Sequence, residues 1–132
     1  MHRGFFISGV LNSLLAVAVG AFGAHTLKKM VTPDLLVTFE TGVRYQFYHA
    51  LALIITAFVY EKIPFKSIRY AGFSFLAGII LFSGSLYAIT LLKANGSVGL
   101  NGVGLITPFG GLFFILGWVL LIVAAFRTKK FV

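Results

Sequence analysis

Apolar side chains fall in four long runs, Phe5 to Leu27, Tyr45 to Tyr60, Ala71 to Leu92 and Val103 to Phe126, of 23, 16, 22 and 24 residues. Crossing ~30 Å of hydrocarbon takes about 20 helical residues at ~1.5 Å each. None of the runs alternates polar with apolar positions, and each is longer than a barrel strand needs to be. The pattern predicts an all-α fold, an integral membrane bundle of four transmembrane helices forming one domain over residues 1–132. The expected spans are about 5–27, 42–61, 70–92 and 104–126.

Several short signals punctuate these runs. Met1-His2-Arg3 and Ala21-Phe22-Gly23 flank the first run much as a leader and its cleavage site would. The run exceeds the core of a signal peptide, however, so it is expected to stay in place as a span. Thr32-Pro33-Asp34 reads as a helix start, with Thr32 as N-cap, Pro33 in the first helical position and Asp34 favourable in the first turn. Residues 33–43 then either lie at the interface or continue into the second span. Ile63-Pro64-Phe65 separates the second and third runs. Asn95 to Gly104, with four glycines and two asparagines, reads as a flexible external loop. Thr107-Pro108 either bends the fourth span or starts it.

Composition strengthens the membrane assignment. Hydrophobic residues make up 59% of the chain and charged residues 11%, with a mean hydropathy of +1.00. A soluble domain has about 25% charged residues, so this chain lacks the polar surface for a water-facing globule. There is no cysteine, which excludes a disulfide scaffold, thiol nucleophiles and thiolate metal sites. The net charge of +8 comes from cations scattered at the helix ends rather than from a basic surface, so no nucleic-acid partner is expected. Seven of the eleven Lys and Arg residues fall on the side of Arg3, of Lys62, Lys66 and Arg69, and of Arg127, Lys129 and Lys130; Lys28, Lys29, Arg44 and Lys93 fall on the other. The bias predicts that both termini are cytoplasmic.

The second run is short, so its span must take in residues around Arg44. Glu40 and Arg44 stand four apart with the acid first, the favourable order for a helical ion pair. Tyr45, Gln46 and His49 line one side of the same helix. A polar group facing acyl chains costs several kcal/mol, so this side is expected to point inward. At similar depth the other spans carry His25, then Ser83 and Ser85, then Thr107. The expectation is a polar nest in the outer half of the bilayer, above an apolar plug. Small-residue ridges at Asn12-Ala16-Gly20-Ala24, Gly84-Ala88 and Gly110-Gly117 suit close helix approach, and a homo-oligomer is expected to use some of them.

Four strings stand out together: Gly20-Ala21-Phe22-Gly23-Ala24-His25, Thr41 to Leu51 (TGVRYQFYHAL), Phe82-Ser83-Gly84-Ser85-Leu86-Tyr87 and Thr107-Pro108-Phe109-Gly110-Gly111. In this order they resemble the small four-helix membrane family catalogued as domain of unknown function 423, which includes transmembrane protein 256-like members. The likeness covers essentially the whole chain. It implies a multi-pass protein of the bacterial inner (cell) membrane and brings no established activity with it.

The residues support readings of more than one class. Arg44 could hold an anionic group bidentately, with Gln46, Tyr45, His49, His25, Ser83, Ser85 and Thr107 as further ligand-binding partners, in a site that binds or passes a small polar solute or a lipid headgroup. His25 and His49 could equally be proton carriers or interhelical hydrogen-bonding residues. The alternative is a structural or assembly subunit of a membrane complex, in which the nest only fixes packing. Two histidines without a third ligand make no convincing metal site, and no cofactor is expected. Arg44 and His49 bear a loose likeness to the glutathione-dependent membrane transferases, but Ala50-Leu51-Ala52-Leu53 follow His49 where those enzymes carry Asn and Glu. No catalytic triad, carboxylate pair or phosphate loop is present, so no enzyme is expected.

Overall fold

The computed structural model describes residues 1–96 and 101–128, all-α, in four rods. The first is α1 (Arg3–His25), followed by a 3-10 turn (Leu27–Lys29). The second is α2 (Pro33–Lys62), in which residues 33–43 are simply its first turns. The third joins α3 (Lys66–Gly78) and α4 (Gly84–Ala94) through a π-helical segment (Ile79–Ser83) without a break. The fourth is α5 (Asn101–Arg127). Three rods, Arg3–Lys29, Lys66–Ala94 and Gly102–Arg127, are long and apolar enough to cross a membrane. The 30 residues of α2 are long enough too, but that helix carries the polar positions.

The local signals act as chemistry dictates, with three corrections. Pro33 opens α2 and Asp34 lies in its first turn, yet Thr32 holds the N-cap position without a side-chain capping bond. Asn101 to Gly104 are helical, not loop, and Pro108 sits inside α5 rather than at its start or at a break. Proline there costs one intrahelical hydrogen bond. The glycine- and asparagine-rich connection is otherwise represented by Asn95 and by Gly96 at φ +75°; residues 97–100 lie outside the described residues, as do Lys129 and Lys130.

Packing is arranged around α2 and the α3–α4 rod, with α1 against α2 and α5 against α3–α4. The latter pair meets along a 3-4-3-4-3 seam: Ile68, Ala71, Phe75, Gly78, Phe82 and Ser85 on one side, Thr107, Gly110, Phe114, Gly117, Leu121 and Ala124 on the other. That spacing is the coiled-coil repeat. Its central contacts are rings seated in glycine notches, with Phe114 on Gly78 and Phe75 on Gly117, while the backbone of Phe82 lies on Gly110. Phe5 on Gly72, Phe39 on Gly23 and Tyr87 on Gly42 repeat the device between other helices. In lipid, where apolar burial alone does not drive helices together, such contact supplies the association energy. Gly110 and Gly117 therefore lie in a seam, whereas Gly84 faces open space and Ala24 is exposed, so those two ridge positions do not join helices within the chain.

The core below the polar level consists of Phe5, Ala52, Leu53, Ala57, Ala71, Phe75, Ile79 and Phe114. It closes the middle of the bundle with hydrocarbon. At its far end Ile63, Ile68 and Ala124 pack together, His2 N–H donates to Ala57 O at 3.0 Å, and the Met1 ammonium meets Glu61 at 3.1 Å. These contacts put the start of α1, the α2–α3 connection and the end of α5 at one end of the bundle.

A methyl at Gly110 would fall on the backbone of Phe82, which cannot rotate away. Gly110→Ala should therefore destabilise the bundle by about 1–3 kcal/mol, the usual cost of overpacking. Gly84→Ala should leave it unchanged or slightly more stable. The midpoint of thermal unfolding in detergent checks both.

Candidate functional site

The polar side of α2 is built by helical geometry. Gln46 and His49 are three residues apart and share a face. Both are 5% exposed, and both find partners on other helices. The Gln46 carboxamide oxygen accepts from Tyr87 O–H on α4 at 2.6 Å. Its Nε2 donates toward the backbone oxygen and the Oδ1 of Asn12 on α1, each at 3.3 Å. Asn12 in turn donates from Nδ2 to Ser8 O at 2.9 Å. A single glutamine thus ties three helices together.

His49 is held just as completely. Its Nδ1 lies 2.8 Å from Tyr45 O, and a carbonyl only accepts, so that nitrogen carries the proton. Its Nε2 is then free to accept from the Trp118 indole N–H at 3.2 Å. The ring lies flat on Phe114, with centroids 3.5 Å apart and an 8° interplanar angle. This is the neutral tautomer, with both nitrogens occupied. Tyr45, at the edge of the buried face, is 40% exposed and packs on Phe82 and His49.

Ser83 and Ser85, two residues apart at the end of the π-helical segment, point to different helices. Ser83 Oγ donates to Gly42 O on α2 at 2.7 Å. Ser85 Oγ donates to Phe82 O at 2.9 Å and lies 2.6 Å from Thr107 Oγ1 on α5. A hydroxyl has one proton, so Thr107 is the donor in that contact. Wide turns of this kind recur at functional positions in helices.

The single nest expected from depth is therefore not what forms. Gln46, His49, Ser83, Ser85 and Thr107 are brought inside, but in four separate sets of interhelical bonds. His25 is exposed at the end of α1, away from all of them. Arg44 is also exposed. Its expected ion pair with Glu40 is not formed: among the described residues the only ion pair is Met1–Glu61, and the guanidinium reaches Thr41 Oγ1 at 3.4 Å instead. Thr41 itself donates to Val37 O at 2.9 Å, so its oxygen is oriented toward Arg44.

Arg44 instead faces a groove between α1 and α2. A cleft of about 180 Å³ is lined by Gly20, Phe39, Glu40, Val43 and Arg44. Through Val43 and Arg44 it continues into a second, of about 270 Å³, lined by Ala16, Val17, Phe47 and Tyr48. The small side chains of the α1 ridge leave this space. Three partners were not singled out as site residues by sequence reasoning. Asn12 and Tyr87 are polar residues of apolar runs, and a search for unanswered polar groups could have paired them with Gln46. Trp118 gave no signal beyond being the chain's one tryptophan. Among the described residues no group of three or more metal-ligating side chains occurs.

Interhelical hydrogen bonds in membranes are worth ~0.6 kcal/mol on average and reach about 1.7. Gln46→Leu strands Tyr87 O–H as well, so it should cost about 1–3 kcal/mol in thermal unfolding. Because Trp118 is the sole tryptophan, His49→Leu should shift the protein's fluorescence spectrum by freeing its indole N–H. An unchanged spectrum would contradict the His49–Trp118 bond.

Comparison with known proteins gives the family context. The family described as "Protein of unknown function (DUF423)" matches residues 19–111. The UPF0382 membrane protein YwdK of Bacillus subtilis is 43% identical over 124 residues, covering 93% of this chain and 96% of that protein. The UPF0382 membrane protein SAB0533 of Staphylococcus aureus is 42% identical, covering 93% and 95%. SH2409 of Staphylococcus haemolyticus, also a UPF0382 membrane protein, is 38% identical over the same shares. No solved structure matches the chain. With four helices, three of them apolar enough to span a membrane, and similarity along nearly its full length, the chain belongs to the DUF423/UPF0382 family of membrane proteins of unknown function.

Proposed function

We propose that this chain is a four-span protein of the bacterial inner membrane, with both termini cytoplasmic, that holds a lipid headgroup at Arg44 in the outer leaflet. The observation that carries this reading is the placement of Arg44. It leaves the bundle, forgoes an ion pair with Glu40 and lies where the cleft that Glu40 lines meets an apolar groove. Counting about 20 residues back from Lys62 along α2 sets Arg44 at the edge of the hydrocarbon, within reach of lipid phosphates. A guanidinium matches phosphate bidentately. Glu40, one turn farther out and lining the same cleft, suits a headgroup ammonium. The chemistry is that of a zwitterionic phospholipid, with its acyl chain along Val17, Val43 and Phe47. The bias of cations toward the end that holds the termini supports the orientation. The plug of Phe5, Leu53, Phe75 and Phe114 favours binding at the groove over passage through one copy. The role is one of binding rather than catalysis, and a second copy would approach along the open side of Gly84.

The alternative, a structural or assembly subunit, draws support from Gln46, His49, Ser83, Ser85 and Thr107, whose bonds all serve packing. Arg44→Ala separates the two. The groove reading expects loss of bound phosphatidylethanolamine in native mass spectrometry by about tenfold, with unfolding changed by no more than ~0.5 kcal/mol. Retained lipid would overturn it, and so would destabilisation comparable to that of Gln46→Leu. For topology, a reporter active only outside the cytoplasm should be silent at the C-terminus and active when inserted at Gly96.

A further inference from the structure

The end of the bundle that gathers the chain termini carries a second groove. Lys66, Arg69, Tyr70 and Phe73 line a cleft of about 310 Å³ with no acidic side chain among them. Through Tyr70 and Phe73 it meets a cleft of about 460 Å³ between α3 and α5, walled by Ala77, Phe113, Leu116 and Leu120. The two form one channel on the surface, cationic at its mouth and apolar below.

Charge bias sets which side of the membrane these cations face, but among the described residues no acidic partner holds them within the bundle. Lys66 and Arg69 sit in the first turn of α3, where the helix macrodipole disfavours positive charge, and that turn holds no acid. Arg69 is steered by its neighbour: its guanidinium lies 5.7 Å from the Phe73 ring centroid, a cation–π contact that fixes it over the joint between the clefts. Among the described residues neither cation has a carboxylate partner, the one ion pair being Met1–Glu61. Below the joint the exposed faces of Phe73, Phe113 and Leu116 follow the helix axes, as an acyl chain would.

We infer that this groove is a binding site for an anionic phospholipid of the leaflet at the terminal end, its phosphate held by Lys66 and Arg69 and one acyl chain lying between α3 and α5. Basic clefts between transmembrane helices above apolar grooves take up lipids of this class. The site is distinct from the Arg44 groove in every residue. It also differs in chemistry, because it offers two cations and no acid and so selects net negative charge.

Native mass spectrometry of the intact protein, released from detergent with phosphatidylglycerol or phosphatidylcholine of identical chains, tests this. Each cation near a membrane surface is worth roughly fivefold, so the wild type should favour phosphatidylglycerol by about thirtyfold. Lys66→Ala with Arg69→Ala should bring the preference below about twofold, and Arg44→Ala should leave it intact. Ala77→Phe, which fills the apolar groove and spares both cations, should weaken both lipids. Because Lys66 and Arg69 are exposed, the double variant keeps its thermal unfolding midpoint, which serves as the folding control. Equal binding of the two lipids by the wild type, or a preference that survives the double substitution, would overturn the site. Displacement of phosphatidylglycerol by millimolar inorganic phosphate would instead show a free-anion site and refute the lipid assignment.

Discussion

In hydrocarbon no water answers a buried amide or imidazole, and everything about this bundle follows from where α2 finds its answers. Gln46 and His49 stand inside a helix that is otherwise apolar for most of its length. Each needs both a donor and an acceptor met from elsewhere. Tyr87, Asn12 and Trp118 supply three of these from α4, α1 and α5, and Tyr45 O on α2 itself takes the His49 Nδ1 proton. The one rod that is not among the three apolar span candidates is thereby the one that every other rod touches. Its polarity makes it central.

Around that axis, shape does the remaining work. Rings enter glycine notches at five places, and at a sixth a phenylalanine backbone lies directly on a glycine. Hydrogen bonds of the kind found here are individually modest, and dispersion is steep in distance, so the two depend on each other. Removing a notch separates helices and lengthens the bonds beside it. The two meet at Gly42, whose carbonyl accepts from Ser83 while the Tyr87 ring lies over the same glycine.

The four helices, the short α2–α3 connection and the inward direction of Gln46 and His49 could be read from apolar runs and residue spacing. The grouping of polar residues by depth could not be trusted in the same way. Arg44 and Gln46 differ by two positions, about 200° around a helix, so one faces the bundle as the other faces away from it. Azimuth, which the spacing contains, separates them; depth does not. Which polar atom meets which is a different matter. Asn12 joins Gln46, and Thr107 joins Ser85, only because of the vertical offset between helices, and that offset is set by glycine contacts scattered over the chain. Trp118 is the clearest case, since its indole N–H matters only once α5 is placed beside His49. The ion pair of Glu40 and Arg44 has favourable spacing but forms no contact, as a flexible guanidinium gains more from Thr41 and an open cleft than from a solvent-screened carboxylate.

The ring-in-notch contacts also bear on how such a chain can diverge. Phe114 and Gly78, or Phe75 and Gly117, form a lock and its key on separate helices, so neither partner can drift alone without opening a void or driving the rods apart. Change at these sites has to arrive in matched couples, whereas the outward faces of α1 and α5 are at liberty to exchange one greasy residue for another. Tolerance to substitution is therefore uneven, narrow along the seams and wide on the faces turned to lipid.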